Sequence, residues 1–222
     1  FPGRLIACGL FALVVGLLIL QPDFGMTMTV TAVWFVQFFL AGLSMALVAV
    51  ALVLGLGLVT AAYAALPHVA SRIDRFINPA TGDTYQVDTS LRAFESGGLF
   101  GLGPGEGRVK SLLPDSHTDF IFAVAGEEFG ILACLLVVGL FAFIVLRGFS
   151  RVLKDANLFI LLAVAGLLTQ FGLQALINMG VAVRLLPAKG MTLPLVSYGG
   201  SAMLVILIAF GLVQSAHVHR PR

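Results

Sequence analysis

The sequence predicts an all-α, polytopic helical membrane protein, from its composition and from the lengths of its uncharged stretches. Hydrophobic residues make up 59% of the 222 residues and charged residues only 11%, whereas soluble domains carry about 25% charged residues. Uncharged stretches occupy 24–71, 129–146, 156–183 and 190–219. Because a membrane-spanning helix needs about 20 mainly apolar residues, these stretches predict membrane spans and exclude a soluble globular domain.

The first three predicted spans lie in the N-terminal third of the chain. An apolar run after Arg4 predicts a helix over about 4–21. The uncharged stretch 24–71 is long enough for two membrane helices. We place these two helices at about 26–41 and 43–66.

The last three predicted spans follow a long loop. They cover about 119–147, 156–182 and 191–217, so we expect six membrane helices in a single membrane domain over 1–222. The first residue is Phe1 and no basic segment precedes the first span, so we interpret the chain as a piece of a longer protein and not as a chain that begins with a signal peptide. The two cysteines are too few for a disulfide framework or a cysteine metal site.

The long loop, 67–118, is predicted to be extracytoplasmic. Positive residues in short loops mark the cytoplasmic side. On the side of the long loop, the short loops carry only Arg184 and Lys189. The opposite side carries Arg4, Arg147, Arg151, Lys154, Arg220 and Arg222. A loop of this length is usually functional or disordered. Aromatic and aliphatic residues are interleaved with charge here, which disfavours disorder, so we expect an ordered, functional loop.

The glycine-rich segment GGLFGLGPGEGRVK, at 97–110, supports two interpretations. It matches neither a Walker loop nor the G-x-G-x-x-G fingerprint. Its glycines are about equally typical of tight turns with positive φ and of a backbone that closely approaches a ligand phosphate. Arg108 and Lys110 favour the ligand, because both can neutralise a pyrophosphate.

The acids of LPDSHTDFIFAVAGEEFG, at 113–130, are the strongest candidates for a functional site. Asp119 stands where a helix begins, so it either caps free N–H groups or acts as a general base at the membrane surface, close to His117. Glu127 and Glu128 follow about 12–14 Å further along, at about 1.5 Å of helix rise per residue. Within the hydrocarbon boundary they are either functional or polar contacts between helices.

A polar stripe lies on the fifth predicted span. Gln170, Gln174 and Asn178 recur at every fourth position and share one helix face. They either line a polar cavity or form hydrogen bonds between helices. The last span opens with MTLPLVSYGG at 191–200, whose proline and glycines disturb a regular helix, and such backbone needs shielding by protein or a cavity. Ser197 in this segment approaches the same membrane face as the long loop.

Several of these stretches together closely resemble the SEDS (shape, elongation, division and sporulation) family, and within it the division branch. The matching motifs are QPDFG at 21–25, RIDRFINPATGDTYQV at 72–87, the stretches 97–110 and 113–130, INMG at 177–180, and LLPAKGMTLPLVSYGGSA at 185–202. Lys189 in LPAKG is typical of the division branch. Members of the family have about ten membrane helices, so the resemblance implies that the six here are the last six.

The resemblance implies a peptidoglycan glycosyltransferase that polymerises lipid II into β-1,4-linked glycan strands for the septal cell wall. Asp119 matches the essential aspartate of the family, whose proposed role is to deprotonate the C4 hydroxyl of the acceptor lipid II. His117 is expected to orient or tune Asp119. A divalent cation, Mg²⁺ or Mn²⁺, is expected to help stabilise the leaving pyrophosphate, with unknown metal ligands and no organic cofactor. The expected rim of the site consists of Arg75, Lys110, Lys189 and Ser197.

The resemblance also implies substrates, partners and a location. The substrates are lipid II and a lipid-linked glycan strand, and the partners are a class B penicillin-binding transpeptidase, other division proteins and membrane lipid, but no nucleic acid. The location is the bacterial cytoplasmic (inner) membrane at the division septum, with the active site on the external face. Two alternatives are a flippase that moves lipid II across the membrane and a non-catalytic scaffold for the transpeptidase. We favour the polymerase, because the acids cluster towards the outer edge of the membrane and a scaffold needs no such cluster.

Overall fold

The computed structural model describes residues 3–21, 23–78, 84–187 and 190–199, together with positions 204, 207, 208 and 211. Within these residues the protein is all-helical and contains no strand. A short 3-10 helix, Val109–Leu112, precedes the sixth α-helix. The α-helices are α1 (Gly3–Leu20), α2 (Phe24–Leu40), α3 (Met45–Ala65), α4 (Pro67–Ile77), α5 (Tyr85–Gly97), α6 (Ile121–Val152) and α7 (Leu158–Ala182).

The predicted all-α membrane architecture is confirmed. Among the described helices, α3, α6 and α7 are long and apolar enough to cross a membrane, and α1 and α2 are shorter apolar helices. α1 and α2 contain 18 and 17 residues, close to the lower limit of about 17 residues for a span. Five of the six predicted spans therefore form helices, and the sixth, 191–217, lies mostly outside the described residues.

Two regions differ from the helix boundaries expected from the sequence. The long loop contains two helices, α4 and α5, and α4 follows α3 after the single residue Leu66. The start of the sixth span was predicted at 191, and this is wrong, because residues 190–199 are turns and irregular backbone. Pro194 has no N–H to donate, and Leu195 has a φ of 65°, which a regular helix does not allow.

The described helices pack around α6 and α7. Phe141 of α6 stacks on Phe171 of α7 with ring centroids 5.1 Å apart. α2 packs against α7, α1 packs against α2, and α5 packs against α6. Buried small residues such as Ala165 and Ala175 let the helices approach closely, as is typical of helices within membranes.

α5 lies in direct backbone contact with the first part of α6. A Cβ atom on Gly97 would lie 2.1 Å from the carbonyl oxygen of Gly126, so only glycine permits this approach. At the end of α7, the Ser90 hydroxyl of α5 donates to the carbonyl of Ala182 over 2.7 Å. α5 is thereby fixed to both central helices, so this part of the long loop is ordered.

α6 is interrupted at Gly130, whose φ of 80° and ψ of 176° are not helical. The turn 98–103 fills the gap: two of its N–H groups donate to α6 and two of its carbonyls accept from α6. The donor–acceptor pairs are Leu102–Glu127, Gly103–Glu128, Ile131–Gly98 and Leu132–Leu99, with N···O distances of 3.0, 3.0, 2.9 and 3.3 Å. In a regular helix these α6 groups would bond to each other, so the turn replaces part of the helix's own hydrogen bonding.

Candidate active site

Asp119 lies in a turn, 114–120, that leads from the 3-10 helix into α6. The carbonyl of Asp115 accepts hydrogen bonds from the N–H groups of Thr118, Asp119 and Phe120, over 3.1, 3.1 and 3.3 Å. Asp115 has a φ of 55°, a left-handed conformation that Asp and Asn adopt more readily than most residues. These bonds fix the backbone of Asp119 just before the helix begins.

Asp119 does not cap α6. The helix begins at Ile121, its N-cap residue is Phe120, and no side chain makes a capping hydrogen bond. The capping interpretation of Asp119 is therefore wrong. Among the described residues, no donor forms a hydrogen bond with its carboxylate. An ionised carboxylate is an acceptor only, so within the described part of the chain neither of its oxygens has a donor.

The surroundings of Asp119 raise the pKa of its carboxyl group above the ordinary value. Partial burial is the main cause, because removal from water disfavours the charged form, and the negative charge of Asp115 adds to it. A raised pKa makes the ionised carboxylate a stronger base. The environment therefore suits proton abstraction better than that of a fully exposed aspartate.

The irregular segment 190–199 lies along the Asp119 turn. The hydroxyl of Ser197 donates to the carbonyl of Thr118 over 2.5 Å. The N–H of Tyr198 donates to the carbonyl of His117 over 2.9 Å. These bonds tie the segment to the turn, while the N–H groups of Val196 and Ser197 donate to the carbonyl of Leu193 within the segment.

Asn178 of α7 connects the turn with the segment 190–199. Its side-chain N–H₂ group donates to the carbonyl of Asp119 over 2.7 Å and to that of Met191 over 2.6 Å, and the residue is 1% exposed. Gly190 lies against the carboxylate, since a Cβ atom there would be 3.0 Å from Oδ2 of Asp119. Three segments that are distant in sequence therefore meet at Asp119.

The predicted polar stripe divides between two places. Asn178 belongs to the Asp119 site, whereas Gln170 lines a cavity of about 300 Å³ together with Gln37 and Trp34 of α2 and apolar residues of α1. Gln174 lies between them on α7 and is half-buried. In the described part of the chain, the shared helix face does not line one continuous cavity. Asn178 forms hydrogen bonds, but to a turn and to irregular backbone and not to another helix.

Glu127 is fully buried and binds the glycine-rich segment. Its Oε1 accepts from the N–H groups of Arg108 and Val109 over 2.7 and 2.8 Å, and its Oε2 accepts from that of Lys110 over 2.8 Å. These N–H groups belong to the start of the 3-10 helix. The carboxylate thus occupies the place that a phosphate takes in an anion-binding loop, and the anionic partner comes from the chain itself.

The glycines of the same segment form tight turns. φ is positive at Gly98, Gly101, Gly103 and Gly105. A Cβ atom on Gly101 would lie 2.2 Å from the carbonyl oxygen of Glu128, so the segment needs glycine both for its backbone conformation and for its approach to α6. The tight-turn interpretation is confirmed.

Lys110 forms an ion pair with Glu128 and also donates to the carbonyl of Gly105 over 3.2 Å. The two paired side chains are 26% and 13% exposed. Together with Glu127, this pair holds the segment against the first part of α6. A role of Lys110 in binding pyrophosphate requires a change of partner, and it stays a prediction.

The other predicted rim residues are less completely described. His117 is exposed, two residues before Asp119, and its carbonyl accepts from the 190–199 segment. Arg75 lies on α4, which packs against α3, but its side chain is outside the described part of the structure. Lys189 lies outside the described residues. The roles of these three residues stay predictions, and the described contacts of Ser197 are structural.

The described residues do not offer a metal site with three protein ligands. No group of three His, Cys, Asp or Glu side chains lies together among them. Asp115 and Asp119 are close enough for their charges to interact, but they supply only two carboxylates. The expected Mg²⁺ or Mn²⁺ ion stays a prediction.

Two glycines of the site were not singled out from the sequence. Gly130 breaks α6, and an isolated glycine within a helical apolar pattern is a signal that could have indicated it. Gly190 leaves room for the carboxylate of Asp119. No local signal indicates this second role, because the two residues meet only in the folded protein.

Comparison with known proteins places the chain in a family. The model of the FtsW, RodA and SpoVE cell cycle proteins matches residues 2–222. The chain belongs to this family. The resemblance to the SEDS family is therefore confirmed, and with three helices able to cross a membrane the chain is part of a multi-pass membrane protein.

Two relatives show where the similarity lies. The chain is 42% identical, over 99% of its length, to a probable peptidoglycan glycosyltransferase FtsW of Caulobacter vibrioides. It is 40% identical, over 89% of its length, to the protein of the same name from Coxiella burnetii. It covers 56% and 55% of these two proteins, so the chain spans about half the length of the relatives it matches.

Two solved structures share the fold. A chain from a peptidoglycan synthase complex, whose structure concerns the coordination of polymerization and crosslinking, matches 97% of this chain with a TM-score of 0.78 and 31% identity. A mutant of the rod shape determining protein RodA from Thermus thermophilus matches 98% with a TM-score of 0.63 and 29% identity. This chain covers 62% and 57% of the two structures.

Proposed function

We propose that the full-length protein is a peptidoglycan glycosyltransferase that polymerises lipid II during septal cell-wall synthesis. The observation that carries the proposal is the carboxylate of Asp119. It is partly buried, it has no hydrogen-bond donor among the described residues, and three segments meet around it. The names of the two relatives support the same activity.

In the proposed reaction, Asp119 accepts the proton of the C4 hydroxyl of the acceptor lipid II. The C4 oxygen attacks C1 of the lipid-linked strand, and the bond from C1 to the pyrophosphate oxygen breaks with inversion. Undecaprenyl pyrophosphate leaves, and a β-1,4 link remains. The raised pKa of Asp119 supports its role as the base.

The contacts around Asp119 support a fixed position for this base. Asn178 holds the carbonyl of Asp119, and Ser197 holds that of Thr118. When a reacting group is already held in the reactive geometry, the reaction does not have to bear the entropy cost of reaching that geometry. These two side chains are therefore proposed to position the base and not to react.

We propose that the site faces the outside of the bacterial inner membrane at the division septum. The last turns of α6 carry Arg147 and Arg151, and the connection to α7 carries Lys154; such positive charge is typical of the cytoplasmic side. Asp119 lies at the other end of α6. Substrates with lipid tails present their sugars at the membrane surface, where this end of α6 lies.

The proposed partner is a class B penicillin-binding transpeptidase, together with other division proteins. The similarity to a chain of a peptidoglycan synthase complex supports this partnership. Polymerised strands need crosslinking, so a transpeptidase next to the polymerase would act on its product directly.

The test uses the full-length protein with its cognate transpeptidase, labelled lipid II and Mg²⁺ or Mn²⁺, with the glycan products resolved on a gel. We expect polymer from the wild type and a loss on the order of 10²–10⁴-fold in Asp119→Asn, the range for removal of a general base. Glu106→Gln is the matched control, since it also exchanges an acid for its amide, at an exposed position of the same loop, and it should polymerise normally.

Equal polymer from the wild type and Asp119→Asn would remove Asp119 from the chemistry. Absence of polymer from both, under conditions in which the complex is intact, would contradict the polymerase. A lipid II transport assay in vesicles would then separate the flippase from the scaffold, since only the flippase moves labelled lipid II between leaflets.

A further inference from the structure

The turn that fills the break in α6 exposes three large apolar side chains. Leu99, Phe100 and Leu102 are 59%, 80% and 46% exposed, and we call them the apolar turn. The backbone that carries them is held to α6 by the four hydrogen bonds across the break. Such a rigid apolar projection is unfavourable in water and marks a surface that another apolar phase covers.

The charge pattern of α6 sets the depth of the apolar turn relative to the membrane. The 16 residues 131–146 carry no charge and end before Arg147. At about 1.5 Å per residue they rise about 24 Å, which is less than the roughly 30 Å of a hydrocarbon core. With Arg147 at the inner boundary of the hydrocarbon, the core therefore extends past Ile131, to the level at which the apolar turn is bonded to α6.

The apolar turn also adjoins an exposed apolar face of α6. The N–H of Leu132 donates to the carbonyl of Leu99 over 3.3 Å, so the two backbones lie side by side. The exposed apolar residues of α6 recur at helical spacing from that point: Leu132, Leu135, Leu136, Leu140 and Phe143. The turn thus continues a face that has the composition of a lipid-facing surface.

Part of the backbone of the turn is satisfied by protein. Irregular backbone within a membrane is stable only if its polar groups are satisfied by protein. The carbonyls of Gly98 and Leu99 and the N–H groups of Leu102 and Gly103 bond to α6, and the N–H of Gly101 bonds to Gly97 over 2.8 Å. The N–H groups of Leu99 and Phe100 and the carbonyls of Phe100, Gly101 and Leu102 have no partner among the described residues, so they require the hydrated glycerol region of the leaflet. The neighbouring charges of Lys110 and Glu128 are paired with each other.

We propose that the apolar turn inserts into the lipid leaflet on its side of the membrane and anchors the glycine-rich segment there. The bound partner is the acyl-chain and glycerol region of the bilayer. The turn is bonded to α6, and the N–H groups of residues 108–110 are bonded to Glu127. The anchor therefore holds the segment 98–110 at a fixed depth. The inference needs only that α6 crosses the membrane, so it does not depend on the proposed activity.

The test is a depth measurement by electron paramagnetic resonance on the full-length protein in lipid nanodiscs. A nitroxide is attached to Phe100→Cys, in a protein whose native cysteines have been replaced, and its exposure to oxygen and to a water-soluble nickel chelate is compared. Leu136→Cys on the exposed face of α6 is the lipid reference, and Glu106→Cys on the same loop is the water reference. Leu99→Cys repeats the measurement at a second position of the turn.

We expect the ratio of oxygen to nickel accessibility at position 100 to be close to that at 136 and several-fold above that at 106. A ratio like that of position 106 would overturn the proposal, because the turn would then lie in water. Low accessibility to both reagents would overturn it as well, because protein and not lipid would then cover the turn.

Discussion

Glu127 and Asp119 are acids of the same short stretch, yet the folded chain treats them in opposite ways. Glu127 is fully buried, and both of its oxygens accept backbone N–H groups, three in all. Asp119 is only partly buried, and no donor among the described residues bonds to its carboxylate. The first carboxylate accepts three of the roughly four hydrogen bonds that it can accept, and the second accepts none from the described residues.

The comparison shows how burial and hydrogen bonding separate a structural acid from a reactive one. Hydrogen bonds to a carboxylate stabilise its charge and tie it to the fold. Burial without such bonds instead raises the pKa, as at Asp119. An acid that is buried but not saturated is therefore the better candidate for proton transfer.

Exchanging each acid for its amide gives the largest expected contrast. Glu127→Gln replaces one carboxylate oxygen by an N–H₂ group and removes the negative charge. At least one of the backbone N–H groups that now donate to Glu127 then loses its acceptor. We expect the free energy of unfolding to fall by on the order of 3 kcal/mol, seen as a lower thermal midpoint in detergent. Asp119→Asn breaks no hydrogen bond to a described residue, so its midpoint should stay near that of the wild type. Equal losses of unfolding free energy in the two variants would contradict the difference in hydrogen bonding between Glu127 and Asp119.

The break in α6 at Gly130 accommodates the turn 98–103, which leads into the N–H groups that bind Glu127. Gly130→Ala forces a left-handed φ on alanine and places a Cβ atom 2.4 Å from the carbonyl oxygen of Leu99. We expect a loss of about 1–3 kcal/mol, the usual cost of such strain, measured as a lower thermal midpoint.

Gly139→Ala is the matched control on the same helix. Nothing lies within 4 Å of a Cβ atom there, and alanine favours a helix over glycine by about 1 kcal/mol. This variant should be as stable as the wild type or more so. An unchanged midpoint in Gly130→Ala would show that the helix does not need the break.

The smallest expected effect is on the pH dependence of the rate, through the charge of Asp115 beside Asp119. Asp119 must be deprotonated to act as a base, so the polymerisation rate falls as the pH drops through its pKa. Asp115 raises that pKa, although less than burial does. Asp115→Asn should therefore move the acidic limb of the pH–rate profile to lower pH, by less than about one unit. Asparagine also tolerates the positive φ at this position, so the turn should persist.

The measurement for this prediction is the rate of lipid II polymerisation across the acidic range, with Glu106→Gln as the variant that leaves the limb in place. If the acidic limb moved to higher pH in Asp115→Asn, the negative charge of Asp115 would not be raising the pKa of Asp119, and the prediction would be wrong. A limb that does not move would mean that another group controls the rate.

The membrane helices could be read from the sequence because apolar length is a local property. The fifth span was predicted at 156–182 and forms α7 at Leu158–Ala182. The prediction failed at 191, where Pro194 and the positive φ of Leu195 interrupt the helix and the segment bonds to the Asp119 turn. A pattern of hydrophobic residues does not reveal the bonds to the turn, because their partners lie about 80 residues earlier in the chain.

The sequence by itself determined that this is a helical membrane protein and that its acids gather at one end of a span, since both follow from composition and order along the chain. Only the tertiary structure decided which acid binds donors of the protein and which, among the described residues, binds none. The donors that fill Glu127 are 17 to 19 residues away in sequence, and the amide that holds Asp119 is 59 residues away. Hydrogen bonds at such separations exist only after the helices have packed, and they give two chemically similar side chains different roles.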